Sequence, residues 1–387
     1  MKNMKTASMI LGLSLFSAMV ATSAQANPSC SWPRQYGHGN MSQFLNNRNQ
    51  HPCQPAKPTQ PSSPSTPAQT LQCGEQITAN TTLTQDLLCP TTTGFALQVI
   101  GNNITLNGNG HKIVAPLAAA GVYVQGQSDT VKNIKVNGAQ TYGIFAYDAP
   151  GISILNNDVS GNSIGIEIYA ESTHITNALV QGNIAHGNSV FGLRTSQDGV
   201  GTVDSPSIRL NDFSQSGSYA IVVDASNYEM DGSALNILYN SANGLYLSGG
   251  TFYIHDLTMS LQMIQNTEIF GETAASVTIK NCDLSTFLKA LATETHNGVD
   301  LYRVTEFQIS GLIAANQDIG VRLETEQEIS PAGSISGCSF SNNQYAGISI
   351  ISYDGTHFGK VSTSGNRYCE KSTAQDVVID PNTYVAQ

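Results

Sequence analysis

Tyr142-Gly143-Ile144-Phe145-Ala146-Tyr147 runs on to Ile152-Ser153-Ile154-Leu155-Asn156-Asn157-Asp158-Val159-Ser160-Gly161-Asn162, and then the pattern starts again. Ile164-Gly165-Ile166-Glu167-Ile168-Tyr169 leads to Ile175-Thr176-Asn177-Ala178-Leu179-Val180-Gln181-Gly182-Asn183, and Phe191-Gly192-Leu193-Arg194-Thr195-Ser196 opens a third copy. Gly143 and Gly165 lie 22 residues apart, and Gly165 and Gly192 lie 27 apart. Self-similarity at this period is the mark of a solenoid. Within each copy the order Gly-apolar-x-apolar-x has the two-residue period of a strand with one buried face, and each strand is too short to stand alone. Stacked coils solve both problems: every strand pairs with its equivalent above and below at ~4.8 Å, and the buried positions merge into one apolar column.

The same phrase extends in both directions. Gly121-Val122-Tyr123-Val124 precedes the triplet, and Ala220-Ile221-Val222-Val223, Gly244-Leu245-Tyr246-Leu247, Gly320-Val321-Arg322-Leu323 and Gly347-Ile348-Ser349-Ile350 follow it. About ten or eleven coils are expected, forming a rod ~50 Å long. The predicted fold is all-β, a right-handed parallel β-helix over residues 71–387. Charged residues at 12% of the chain, with 35 glycines, suit such a turn-rich architecture and not a helical bundle.

Ahead of the repeats, residues 1–26 read as a secretory signal, with Lys2 and Lys5 in front, an apolar stretch from Met9 to Ala21, and a small-residue cleavage site at Ala24-Gln25-Ala26. This predicts a secreted or periplasmic protein that begins at Asn27. No later stretch offers eighteen consecutive apolar residues, so no membrane span is expected. Residues 27–53 form a small segment clipped by Cys30 and Cys53, and residues 54–70, with prolines at 55, 58, 61, 64 and 67, form a semi-extended linker.

All seven cysteines follow the cleavage site. Cys30 with Cys53 and Cys73 with Cys89 are the natural local disulfides in an oxidising compartment. Aligning Ile279 with Ile335 puts Cys282 and Cys338 in one corner column with Asn157, Ala178, Asn211 and Leu257. A coil at Ile309-Ser310-Gly311-Leu312 intervenes and holds the two sulfurs ~10 Å apart, too far for a bond. They are read as buried thiols, and the state of Cys369 is left open.

The stretch Cys73-Gly74-Glu75-Gln76-Ile77 to Asp86-Leu87-Leu88-Cys89-Pro90, followed by Asn103-Ile104-Thr105-Leu106-Asn107-Gly108-Asn109-Gly110-His111-Lys112-Ile113, resembles the first coils and cap of the pectin-lyase-like β-helix superfamily. The likeness is to its short-repeat branch, which includes copper-site maturation proteins and carbohydrate-binding or sugar-hydrolase β-helices. It covers about residues 71–380 and is specific for fold; the architecture hosts lyases, hydrolases, epimerases, adhesins and passive scaffolds alike. In enzymes of this superfamily the substrate groove runs along a sheet face, which directs attention to the outward positions.

Those positions form two columns. The first reads Tyr123, Phe145, Glu167, Arg194, Val222, Tyr246, Arg322, Ser349; the second reads Gln125, Tyr147, Tyr169, Ser196, Asp224, Ser248, Glu324, Ile351. Rings beside carboxylates and arginines suit an extended glycan, since rings stack on sugar faces and charged groups read hydroxyls or uronates. Tyr147, Asp148, Glu167 and Arg194 are the catalytic candidates. Tyr123, Tyr169, Tyr246, Asp224 and Arg322 are the substrate-binding candidates. A uronate β-elimination would use an arginine or calcium against the carboxylate and a Tyr, Lys, His or Arg as base; a hydrolysis would use Glu167 with Asp148 or Asp224. The same residues also suit a solvated strand face or a purely binding surface.

Several motifs do not match. Mannuronan epimerases carry Tyr-Gly-Phe-Asp-Pro-His, of which Tyr142–Tyr147 keeps only Tyr-Gly, and the Gly-His-Gly of polygalacturonases occurs only at Gly37-His38-Gly39, outside the repeats. Asp198 and Asp204, in a long insertion, are the only candidate contribution to a Ca²⁺ site, and their spacing matches no EF-hand; no cofactor is otherwise expected. Asp354 and His357 lie in a turn, and the acidic run from Glu324 to Glu328 reads as a solvated loop. Net charge of -11 argues against nucleic acid as partner. The expectation is a monomer acting on or binding polysaccharide.

Overall fold

Short apolar alternation produces short strands, and these stack in parallel. The computed structural model describes residues 71–231, 237–238, 243–255, 259–260, 269–272, 274, 276–284, 297–326, 329–369, 374–379 and 385–386. The chain divides into two units, 1–64 and 65–387, and every described residue belongs to the second. The signal, the Cys30–Cys53 segment and the whole linker lie outside the described residues.

Each coil contributes one strand to a continuous parallel sheet, here called the platform sheet. Its members include Phe95–Ile100, Ala120–Gln125, Tyr142–Tyr147, Ile164–Ala170, Phe191–Gln197, Asn297–Tyr302, Ile319–Thr325 and Ala346–Ser352. The register is regular: Leu97 pairs with Val122, Val122 with Ile144, Ile144 with Ile166, and Ile166 with Leu193. All of these are fully buried, as are Val124, Ala146 and Ile168 in the next inward column. Full burial of an aliphatic side chain contributes roughly 1.5–3 kcal/mol, so the column, not any single strand, carries the fold. A second parallel sheet contains Thr105–Asn107, Thr130–Lys132, Ser153–Leu155, Leu179–Gln181 and Ser207–Arg209. Among the described residues no helix is long and apolar enough to cross a membrane.

The glycine that opens each platform strand has a steric cause. A Cβ on Gly143 would meet the Gly165 carbonyl oxygen at 2.6 Å, and one on Gly165 would meet that of Gly192 at the same distance. Coils stack so closely at these two positions that a Cβ would clash, although Ala96 and Ala220 hold the same place in their own coils.

The corners are set by left-handed residues followed by inward polar groups. Asn133, Asn156, Leu210 and Asn281 have φ between 52° and 55°, with Gly182, Gly311 and Gly337 in the same role. The residue after each turns inward: Ile134 first, then Asn157, Asn183 and Asn211, then Cys282, Leu312 and Cys338 in later coils. Asn183 accepts from the Asn157 N–H at 2.9 Å and from its side-chain amide at 3.0 Å, and donates to the Ile154 carbonyl at 2.8 Å. Asn211 repeats the pattern on Asn183 and Val180. This ladder satisfies corner N–H and C=O groups that have turned out of the strand hydrogen bonds.

The corner column differs from the sequence reading at one coil. Its member there is Asn183, not Ala178, because an additional strand, His174–Thr176, precedes Leu179–Gln181 and pairs separately with Thr202–Asp204. Cys282 and Cys338 are buried thiols with Leu312 between them in register, as expected. Cys73 and Cys89 form a disulfide, with Cα atoms 5.6 Å apart, next to the first strands, and Cys369 is an exposed thiol.

Candidate functional site

Both outward columns run continuously across the platform sheet. Tyr123, Phe145, Glu167, Arg194, Val222 and Tyr246 are direct neighbours in register, and beside them lie Gln125, Tyr147, Tyr169, Ser196, Asp224 and Ser248. Pairing of Tyr147 with Tyr169, and of Glu167 with Arg194, follows directly from that register.

In the first coils the columns become a sheet of rings. Phe95 stacks on Tyr123 with centroids 4.3 Å apart and an interplanar angle of 7°, and Tyr142 stacks on Phe145 at 4.6 Å. Tyr123 meets Phe145 at 5.8 Å and Tyr147 at 6.3 Å, Tyr147 meets Tyr169 at 5.7 Å, and Phe145 meets Tyr169 at 6.4 Å. All six rings are half-buried, with edges and faces left to solvent. Phe95 and Tyr142 were not singled out in the sequence; Tyr142 enters because the position one step before the glycine also points outward. The Tyr147 hydroxyl is bonded to the Glu171 carboxylate, which raises the phenol's pKa, with burial adding to the effect.

Asp148 serves the turn. Its carboxylate accepts from the N–H groups of Glu171, Ser172 and Thr173 and from the Ser172 hydroxyl at 2.6 Å. Burial opposes its ionisation, but the Ser172 bonds and the other N–H donors outweigh it and hold the carboxyl below its usual range. The backbone at Asp148 is left-handed, with φ 45°. These bonds tie it to the segment 171–173 of the next coil.

Next along the sheet is an ionic group. Glu167 is 3% exposed, accepts from the Ser196 hydroxyl at 2.7 Å, and lies 3.7 Å from an Arg194 guanidinium nitrogen. Its Oε2 is buried with no hydrogen-bond partner. Burial pushes the Glu167 carboxyl up, against the Ser196 bond and the Arg194 charge, and burial likewise raises Asp224 against Arg194. Arg194 thus stands between two carboxyls that both resist ionisation. Farther on, Tyr246 donates to Glu272 at 2.6 Å.

A second ionic group was only partly visible in the sequence. Arg322 lies 3.6 Å from Asp300 in the adjacent strand, pairs with Glu324, and donates to the Tyr353 hydroxyl at 2.8 Å. Tyr353 in turn donates to Glu324 at 2.9 Å, and Asn297 donates to Asp300 at 3.0 Å. Burial, then the Glu324 charge, push Asp300 up to about 7 despite Arg322 and Asn297. The Tyr353 phenol is pushed up to about 12, by burial first and the Glu324 bond second. Glu324 is 8% exposed inside the strand Ile319–Thr325, so it is no part of a solvated loop. Asp300 was missed although Gly298-Val299-Asp300-Leu301 repeats the Gly-apolar-x-apolar phrase.

Elsewhere the expected turn chemistry is present: Asp354 accepts from the Thr356 N–H at 2.9 Å. Asp198 accepts from the Gly199 N–H, and Asp204 accepts from the Thr202 hydroxyl at 3.3 Å in the strand Thr202–Asp204. Among the described residues no three His, Cys, Asp or Glu side chains converge in an arrangement suited to a metal ion.

The profile of the family described as right handed beta helix region matches residues 91–203 and 198–367, more than half of the chain. The chain belongs to that family. No curated protein matches it in sequence. Among solved structures, the A-module of the Azotobacter vinelandii mannuronan C-5 epimerase AlgE4 is similar at 14% identity and a TM-score of 0.41, over 81% of this chain and 80% of that one. The AlgE6 A-module of the same organism matches at 14% identity and a TM-score of 0.42, over 82% and 85%. The catalytic domain of a GH87 alpha-1,3-glucanase matches at 12% identity and a TM-score of 0.35, over 82% and 63%.

Proposed function

We propose that this is an exported glycan-binding β-helix protein whose platform sheet takes a polysaccharide along its outward columns. The observation that carries the reading is the set of six contiguous half-buried rings from Phe95 to Tyr169, spaced 4.3–6.4 Å. A solvated strand face gains nothing from so much aromatic area left partly wet, whereas sugar faces stack on it favourably. Export rests on the signal-like residues 1–26 and agrees with the Cys73–Cys89 disulfide. Affinity electrophoresis over a panel of soluble polysaccharides tests the reading: retardation by at least one glycan, lost on Y147A/Y169A with the fold intact, is expected. No retardation by any glycan refutes it.

A second reading, hydrolysis, is favoured by one specific feature. Glu167 and Asp224 sit on strands two apart, ~9.6 Å along the stacking direction, both with raised pKa and with Arg194 between them. Paired carboxyls of which one stays protonated are what glycosidic cleavage needs, at separations of about 5–9.5 Å. Release of reducing ends by the wild type, abolished in E167Q and D224N, would establish it; binding without release in the wild type leaves the binding reading alone.

A further inference from the structure

The identity of the glycan follows one step further from the charges on the same face, and this step rests on the binding reading above. On the described strands that open each coil, the outward positions from Gln98 to Glu324 carry two cations, Arg194 and Arg322, against the acids Glu167, Asp224, Glu272, Asp300 and Glu324; Lys280 lies on the second strand of its coil. Arg322 is engaged: it is held between Asp300 and Glu324 with Tyr353 on its second amino group, while among the described residues Arg194 pairs with Glu167 alone, at 3.7 Å, with its side chain 41% exposed. A uronate reaching Arg322 would have to displace the Glu324 carboxylate already in place, in a setting where like charges repel.

The field around the rings has the same sign. Tyr147 is bonded to Glu171, and the turn behind it holds the ionised Asp148. The Tyr169 phenol is raised by burial and by the carboxylates of Asp198, Glu171, Asp148 and Glu167, without an opposing cation. Anionic polymers need positive charge along their track. Neutral sugars need the reverse: ring faces for stacking, and carboxylate or phenol oxygens that accept from hydroxyls.

We infer that the platform takes a neutral polysaccharide and rejects polyuronates, so that its ligand class differs in charge from that of a mannuronan- or galacturonan-acting face.

Affinity electrophoresis and calorimetry on the full chain separate the outcomes, with mixed-linkage β-glucan, xyloglucan and galactomannan as neutral probes and alginate and polygalacturonate as anionic ones. The expected result is binding of at least one neutral polymer, changed less than about twofold between 20 and 300 mM salt, and weakened about tenfold by Y147A or Y169A. Alginate and polygalacturonate should show no retardation at pH 7. Preferential, salt-sensitive binding of either polyuronate that is lost in Y147A/Y169A would overturn the inference and leave the glycan-binding reading standing. Failure of every polymer, neutral and anionic, would overturn both.

Discussion

Substituting Asn183 by Ala tests whether the corner ladder, and not strand pairing alone, holds the coils in register. The side chain accepts from the Asn157 N–H at 2.9 Å and donates to the Ile154 carbonyl at 2.8 Å, and Asn183 is 1% exposed. Alanine removes both partners. The Asn157 side-chain amide retains Val131, and the Asn211 side-chain oxygen retains the Asn183 N–H, so those groups stay satisfied. The Ile154 carbonyl keeps its place in the ladder that pairs Leu155 with Gln181, so the Asn157 N–H is the buried group left unpaired, at ~1–3 kcal/mol against the ~5–15 kcal/mol that a domain possesses. Equilibrium urea unfolding of residues 65–387 measures this, with N183L as companion. Leucine refills the volume, as Leu312 does in the same column, but restores no hydrogen bond, so it should be destabilised by a similar amount. A loss below ~1 kcal/mol for N183A, or full recovery in N183L, would show that packing alone sets the corner and refute the argument.

Asp300 should make stability fall with rising pH. Its folded pKa of about 7 lies above the ordinary aspartate value of 3.8. The folded state therefore holds the extra proton between those values, and stability is greatest below the lower one and declines as pH rises through the upper. At ~1.36 kcal/mol per pKa unit, D300N should be flatter than wild type by about 4 kcal/mol between pH 4 and pH 8 in paired urea titrations; parallel curves would contradict it. Gly165→Ala forces a Cβ against the Gly192 carbonyl, and a drop of ~1–3 kcal/mol is expected; unchanged thermal unfolding would mean that the coils can part. The C73S/C89S double variant opens a loop spanning a sequence separation of 16 and should lose ~3 kcal/mol, read by the same unfolding assay with and without reductant.

The platform sheet was legible because its two constraints, a glycine at the close approach and period-two burial, both leave marks in the chain. Tyr147 beside Tyr169 and Glu167 beside Arg194 needed only those marks to be aligned correctly. Corner geometry was less legible, since a left-handed position accepts Asn, Gly or even Leu210, and an inserted strand at His174–Thr176 shifts the count without changing composition. Ala178 was misplaced for that reason. Glu324 was obscured by the acids that follow it, although the strand continues to Thr325 before the chain turns away. Asp300 carried a usable signal in Gly298. Its coupling to Arg322 and Tyr353 arises from side-chain reach across coils, which no local pattern encodes.

Coil-by-coil pairing also makes the proposed binding face modular in length. A whole coil inserted between Tyr169 and Arg194, which lie on neighbouring strands, would slide the rings ~4.8 Å relative to Arg194 while leaving every side chain pointing as before. Point substitutions tune what the face recognises; gain or loss of a repeat would reset its gauge, changing how many sugars lie between the first ring and the first charge.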